Sequence, residues 1–202
     1  MKQTYRAMTG YVLGWVWLAF VAYNIWDLTT KYNGKPTLVA AAVLAVLTAV
    51  VYVTTLRPAT TLTENDLRVR NPFRSHVLPW ASVGEVNVSH SINITREGEG
   101  ILRLWTPQST ARERARANRR ATPQPRRGRY QTEPTLTKGE QAAAEVMSGK
   151  THADFVAEQI TERAEKARRR NEPPAPTKTT WAIDSIAAFA LAAVLVVIAI
   201  LG

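Results

Sequence analysis

Three stretches of the chain are almost purely apolar, and nearly all of the charge lies between the second and the third. The first runs from about Met8 to Leu28 and holds no Lys, Arg, Asp or Glu between Arg6 and Asp27. The second runs from Thr37 to Leu56 and the third from Ile183 to Leu201. Each approaches the roughly 20 residues that a helix needs to cross about 30 Å of hydrocarbon. The pattern predicts transmembrane helices at 7–28, 37–56 and 181–202, after a short N-terminus at 1–6 and with a tight loop at 29–36. A cleaved signal peptide competes for the first stretch, because Lys2 and Arg6 supply a positive start. Against it, the run is too long and too aromatic and lacks a small-x-small cleavage site. Trp15, Trp17, Tyr23 and Trp26 suit an uncleaved helix anchored at an interface.

Between the second and third stretches the periodicity shortens. Leu62, Leu67 with Val69, and Val77 with Leu78 are separated by turn residues, Glu64-Asn65-Asp66 and Asn71-Pro72. Val86 with Val88 and Ile92 with Ile94 alternate with polar residues, as half-buried strands require, and Ile101–Trp105 reads as a return strand. These segments predict a small antiparallel β domain over 57–107. Further on, Thr151–Arg170 brings Phe155, Val156, Gln159, Ile160, Arg163 and Ala164 round in an amphipathic stripe. Thr151 with Asp154 forms an acidic variant of the capping box, and Arg168–Arg170 suit the C-terminal dipole. A helical end at 138–170 is expected, either packed on the sheet or free to bind a partner.

The stretch LTENDLRVRNPFRSHVLPWASVGEV resembles the small bacterial pleckstrin-homology-like (PH-like) domains of actinobacterial membrane proteins. The resemblance rests on Leu67-Arg68-Val69-Arg70-Asn71, on the basic Arg74, and on the corner Pro79-Trp80-Ala81-Ser82-Val83. It implies a curved antiparallel sheet closed by a C-terminal helix, often with two helices just before it, and a docking role rather than catalysis. The expected fold is therefore an integral membrane α protein with a small β domain. Three transmembrane helices, an N-terminal hairpin plus a C-terminal helix, carry a cytoplasmic PH-like antiparallel domain closed by an amphipathic helix.

Composition then narrows the chemistry. The chain has 202 residues, and 26 Lys/Arg against 16 Asp/Glu give a formal charge of +10. The mean hydropathy of −0.17 looks ordinary only because the apolar and charged stretches cancel. With no cysteine, disulfides, thiolate metal sites and cysteine nucleophiles are excluded. His76, His90 and His152 are scattered and lack Asp, Glu or Ser partners at motif spacing, so no catalytic, cofactor or metal site is expected. All the basic residues but Lys2, Arg6, Lys31 and Lys35 lie from Arg57 to Lys178. That bias predicts the N-terminus and residues 57–180 on the cytoplasmic side of the cell membrane and the C-terminus outside.

The segment 108–137 departs from the family pattern. It carries Arg112, Arg114, Arg116, Arg119, Arg120, Arg126, Arg127 and Arg129 with almost no large apolar group. Such a composition buries too little to fold alone. It reads as a solvated flexible insert or as an electrostatic arm, each cation near an anionic leaflet being worth about 1 kcal/mol. Anionic phospholipid is the expected partner, with Arg68, Arg70 and Arg74 adding to the arm. Nucleic acid is disfavoured, since only Tyr130 offers a stacking ring. The Pro-rich 171–180 reads as a semi-rigid spacer. In the spans, Gly10, Gly14, Trp15, Trp17, Ala41, Ala45, Ala188 and Ala192 are the candidates for helix packing, within the chain or on a partner. Two functions fit. One is a non-catalytic accessory or scaffold subunit of a larger membrane complex, by analogy an actinobacterial cytochrome bcc–oxidase supercomplex. The other is a self-standing membrane-anchored sensor that binds anionic lipid or a protein ligand.

Overall fold

The computed structural model describes residues 2–96, 99–121 and 149–201. Helix α1 (Met8–Thr30) ends where Lys31 N–H reaches the carbonyl of Asp27. The chain turns at Gly34, whose φ of 67° suits a residue without a Cβ. Helix α2 (Lys35–Val51) starts with Pro36 in its first turn, where the missing N–H costs nothing. A π-helical turn (Tyr52–Leu56) continues α2 to the β domain. With helix α5 (Ile183–Leu201), these make three helices long and apolar enough to cross a membrane.

The β domain has two antiparallel sheets. Strands β1 (Gln3–Tyr5), β2 (Ala59–Leu62), β3 (Asp66–Arg70), β4 (Arg74–Pro79) and β8 (Lys178–Trp181) form a five-stranded sheet in the order β1-β2-β3-β4-β8. Strands β5 (Val83–Val88), β6 (Ser91–Arg96) and β7 (Gly100–Gln108) form the other. Period-two alternation sets the faces. In β3, Leu67 and Val69 point into the core while Arg68 and Arg70 are exposed, and the register pairs Leu67 with Leu78 and Val69 with His76. Between the sheets, at the corner Trp80–Ser82, Trp80 is buried and donates Nε1–H to the carbonyl of Thr63 at 3.2 Å.

Helix α4 (His152–Arg169) closes the core. Its capping box is present in full: Asp154 N–H donates to Thr151 Oγ1, and Thr151 N–H to Asp154 Oδ2 at 2.8 Å. The buried stripe is Ala153, Val156, Ala157, Ile160, Ala164 and Ala167. It packs on Leu62, Leu78, Val83, Ile94 and Leu104 of both sheets. Each large aliphatic side chain buried there contributes about 1.5–3 kcal/mol. Phe155, Gln159 and Arg163, placed in the stripe by the sequence pattern, flank it, because small alanines let the helix sit closer to the sheet than larger residues would.

Three sequence expectations are revised here. Residues 1–6 contribute β1 to the sheet instead of forming a separate tail, and the Pro-rich spacer ends in β8, paired along β4 from Val77↔Lys178 to Arg74↔Trp181. Both are edge additions, where three or four residues suffice because backbone bonds supply the pairing. The insert begins with order: β7 runs to Gln108, and helix α3 spans Ala111–Ala121. Thr110 and Glu113 exchange backbone-to-side-chain bonds of 2.9 and 3.1 Å at its start. The rest of 108–137, with Arg126, Arg127 and Arg129, lies outside the described residues.

Candidate functional site

The three apolar helices meet the β domain at one end of the helical bundle. Strand β1 leads into α1, the π turn into β2, and β8 into α5. At this junction Arg57, the first residue after the second apolar run, is 7% exposed. A buried guanidinium must be fully bonded, or desolvation makes it untenable. Its Nε donates to Asp184 Oδ2 at 2.9 Å and Nη2 to Ser75 Oγ at 2.9 Å, while Nη1 donates to the carbonyl of Asn71. Tyr52 Oη also donates to Asp184, at 3.0 Å, and Ser185 Oγ donates to the carbonyl of Pro72 at 2.6 Å.

Asn71 extends the network. Its Nδ2 donates to the carbonyl of Arg103 at 2.9 Å, and its Oδ1 accepts from Trp105 N–H at 2.9 Å. Trp105 Nε1–H in turn reaches the carbonyl of Thr54 at 3.1 Å. Phe73 lies against Phe189 with ring centroids 5.9 Å apart. The β3–β4 turn is thus bonded to the foot of α5, and β7 to the foot of α2. Arg57 follows one apolar run and Asp184 lies at the start of the next, 127 residues on, and nothing local in the sequence links them.

The candidate cations separate into two groups. Arg68 binds Asp66 through both carboxylate oxygens at 2.9 and 3.1 Å, at the end of β3 away from the helices. Burial works against the Asp66 carboxylate, but bonds from Arg68 and Thr63 outweigh it and hold its pKa below the ordinary value. Arg70 and Arg74 are exposed at the helix end of the sheet, where the Arg74 guanidinium sits 4.7 Å from the centroid of Trp181. On α3, Arg112 and Arg116 are exposed, Arg114 donates Nε–H to Ser109 Oγ at 2.9 Å, and Arg119 and Arg120 lie in the last turn. Arg68 is thus paired with Asp66, whereas Arg70, two residues along the same exposed face, and Arg74 form no ion pair among the described residues.

The small-residue candidates meet partners within the chain. A Cβ on Gly14 would stand 2.6 Å from Leu56 Cδ2 and 2.9 Å from Thr55 Oγ1, so α1 and the π turn approach closely there. Gly10 has more room, with Thr55 Cβ at 3.8 Å. Trp17 donates Nε1–H to Thr48 Oγ1 at 3.2 Å, whereas Trp15 is 56% exposed. Between α2 and α5 the buried small residues are Ala42 and Ala49 facing Ser185, Ala192 and Ala199. Ala41, Ala45 and Ala188 are only half-buried beside that seam. The spacing of seven follows a continuous seam between nearly aligned helices, which the spacing of four does not.

A groove of about 1040 Å³ opens beside the network. Residues 4–11, Thr54, Thr55, Pro58, the end of β7, Thr110, Glu113 and His152 line it. Elsewhere, His76 is buried in the sheet with Nδ1 3.0 Å from Thr179 Oγ1, and burial, then Arg96 and Arg74, lower its pKa. Among the described residues no group of three His, Asp or Glu could hold a metal ion.

No curated protein and no solved structure matches the chain. Residues 57–125 match the family model described as "Bacterial PH domain", which takes in β2 to β7 and α3 and leaves β1, α4, β8 and the three apolar helices outside. The chain carries a domain of the bacterial PH family, extended at both sheet edges by strands that continue into its apolar helices.

Proposed function

We propose that the protein is a non-catalytic scaffold, an accessory subunit that holds its PH domain as a fixed platform against a larger complex in the cell membrane. One observation carries this reading: the β domain joins all three apolar helices directly, and Arg57 locks two of their feet to the β3–β4 turn. A recruiting module on a flexible tether needs none of this. A platform that must present one face in one orientation does. In this reading the helices span the bilayer, residues 2–7 and the β domain lie on the cytoplasmic side, and the turn at Gly34 and the end of α5 lie outside. The common end at which the helices meet the domain agrees with that path, and the Lys/Arg bias sets its direction.

The outward side of α1 is the surface offered to a partner, since Trp15, Phe20, Tyr23 and Trp26 are exposed along it. The respiratory bcc–oxidase assembly remains the candidate that analogy names. Purification of the tagged full chain from native membranes in mild detergent, with mass spectrometry of what accompanies it, tests the proposal. A stoichiometric set of larger membrane subunits is expected. Recovery of the chain alone would contradict it.

The second reading, a sensor of anionic lipid, is favoured by the exposed Arg70 and Arg74 at the helix end of the sheet and by the arginines of α3. Charge reversal at Arg112 and Arg116 separates the two. A sensor loses its ligand, whereas a scaffold held by helix packing keeps its partners.

A further inference from the structure

We infer that the groove between the foot of α1 and the end of β7 is a binding site for one anionic phospholipid drawn from the leaflet that the domain faces. The groove is built largely from residues outside the PH family match, and it is separate from the exposed arginines of β3, β4 and α3.

Its chemistry is that of an anion cradle beside apolar surface. Arg6 forms no ion pair among the described residues; its guanidinium lies 4.7 Å from the Tyr11 ring centroid and makes one long bond, 3.4 Å, to the carbonyl of Leu56. Ala7 caps α1 without a side-chain bond, and the first turn holds no acid. Met8, Thr9 and Gly10, which line the groove, therefore have amides without intrahelical partners, at the positive end of a 23-residue helix. Thr106, 2% exposed in the wall, has a hydroxyl with no partner among the described residues. A phosphate diester satisfies Arg6 and these amides together.

The single acid in the wall, Glu113, accepts from Thr110 N–H at 2.9 Å and is already engaged at the cap of α3. His152 lies against Tyr5 with ring centroids 5.8 Å apart. Apolar surface lies beside the cradle: Met8 is 77% exposed and Trp105 42%. Because the groove opens at the helix feet, the acyl chains of a bound lipid run along these side chains into the bilayer. The volume is at the upper end of small-molecule sites, which suits a headgroup with the upper part of its chains. A soluble phosphate would leave that apolar surface bare.

The test uses the full chain in mild non-ionic detergent, with dioleoylphosphatidylglycerol or dioleoylphosphatidylcholine titrated in and bound lipid counted by native mass spectrometry. One phosphatidylglycerol is expected to bind at least about tenfold tighter than phosphatidylcholine, and Arg6→Gln should abolish that preference. Thr9→Asp puts a carboxylate in the first turn of α1, where it supports the helix but repels the headgroup. It should lose the lipid while unfolding no earlier than the wild type. Arg112→Gln with Arg116→Gln should leave the count at one, so the result is independent of any role of α3. Equal retention of both lipids, an unaltered preference in Arg6→Gln, or displacement of the lipid by 10 mM inorganic phosphate would each overturn the inference.

Discussion

Helices α1 and α5 both adjoin an edge strand of the same sheet, yet they are held in different ways. Helix α5 is fixed twice, at its foot by Asp184 and Ser185 and along its length by the Ser185–Ala192–Ala199 seam against α2. Helix α1 is fixed near its foot by Gly14 against the π turn and farther along by Trp17 on Thr48. Its remaining length is largely exposed. Polar bonds at the feet and small residues along the seam thus make α2 and α5 a single support. Close approach at one glycine leaves α1 with a face to offer. In lipid, where apolar surface gains nothing by hiding from water, packing shape and hydrogen bonds decide which helices pair.

The largest effect should come from the foot of α5. Asp184→Ala leaves Arg57 buried without its carboxylate, and because Asp184 is itself half exposed the expected cost is about 3 kcal/mol. Thermal unfolding in detergent reads it, and the Arg57→Ala/Asp184→Ala double variant should recover part of the loss. If both single variants unfold like the wild type, the junction does not hold the domain. Next comes the seam. Ala192→Leu overfills it and should cost about 2 kcal/mol, while Ala187→Leu on the exposed side of the same helix should be near neutral.

At α1 the contrast lies between two glycines. Gly14→Ala drives a methyl into Leu56 and Thr55, side chains that can shift, for about 1–2 kcal/mol. Gly10→Ala, with room to spare, should be neutral or gain up to about 1 kcal/mol from helix propensity. Equal effects at the two positions would remove the close approach from the account.

The smallest effect concerns His76 on β4, whose ring meets Thr179 of β8, the strand that precedes α5. Burial, Arg96 and Arg74 lower the pKa of His76 below its ordinary 6.5, with Glu99 opposing weakly. The unfolded chain then takes up the proton first. The contribution is complete above pH 6.5 and is lost as pH falls below it toward the lowered folded value. Unfolding scans between pH 7.5 and 5.5 should show this loss, and His76→Gln should flatten it.

Much of this was legible from residue pattern. Runs of some twenty apolar residues, the alternation in β3 and β4, and Thr151-x-x-Asp154 each carry a local cause, so the elements could be placed without tertiary information. The edge strands could not. Gln3-Thr4-Tyr5 and Lys178-Thr-Thr-Trp181 are too short to show a period, and only an available sheet edge makes them strands. The start of α3 did carry a signal, Thr110-x-x-Glu113, hidden by the arginine-rich composition around it. At the junction, Arg57 and Asp184 are 127 residues apart, and nothing local links them. The α2–α5 seam was obscured because alanines at spacings of four and of seven coexist in both helices.

The central claim is that the PH domain is fixed relative to the three apolar helices. With no native cysteine, Asn65→Cys on the β2–β3 turn and Leu191→Cys on α5 can carry a pair of spin labels in nanodiscs. A single narrow distance distribution, broadened by Asp184→Ala, is the predicted result. A broad distribution in the otherwise native chain would show a tethered domain and contradict the account.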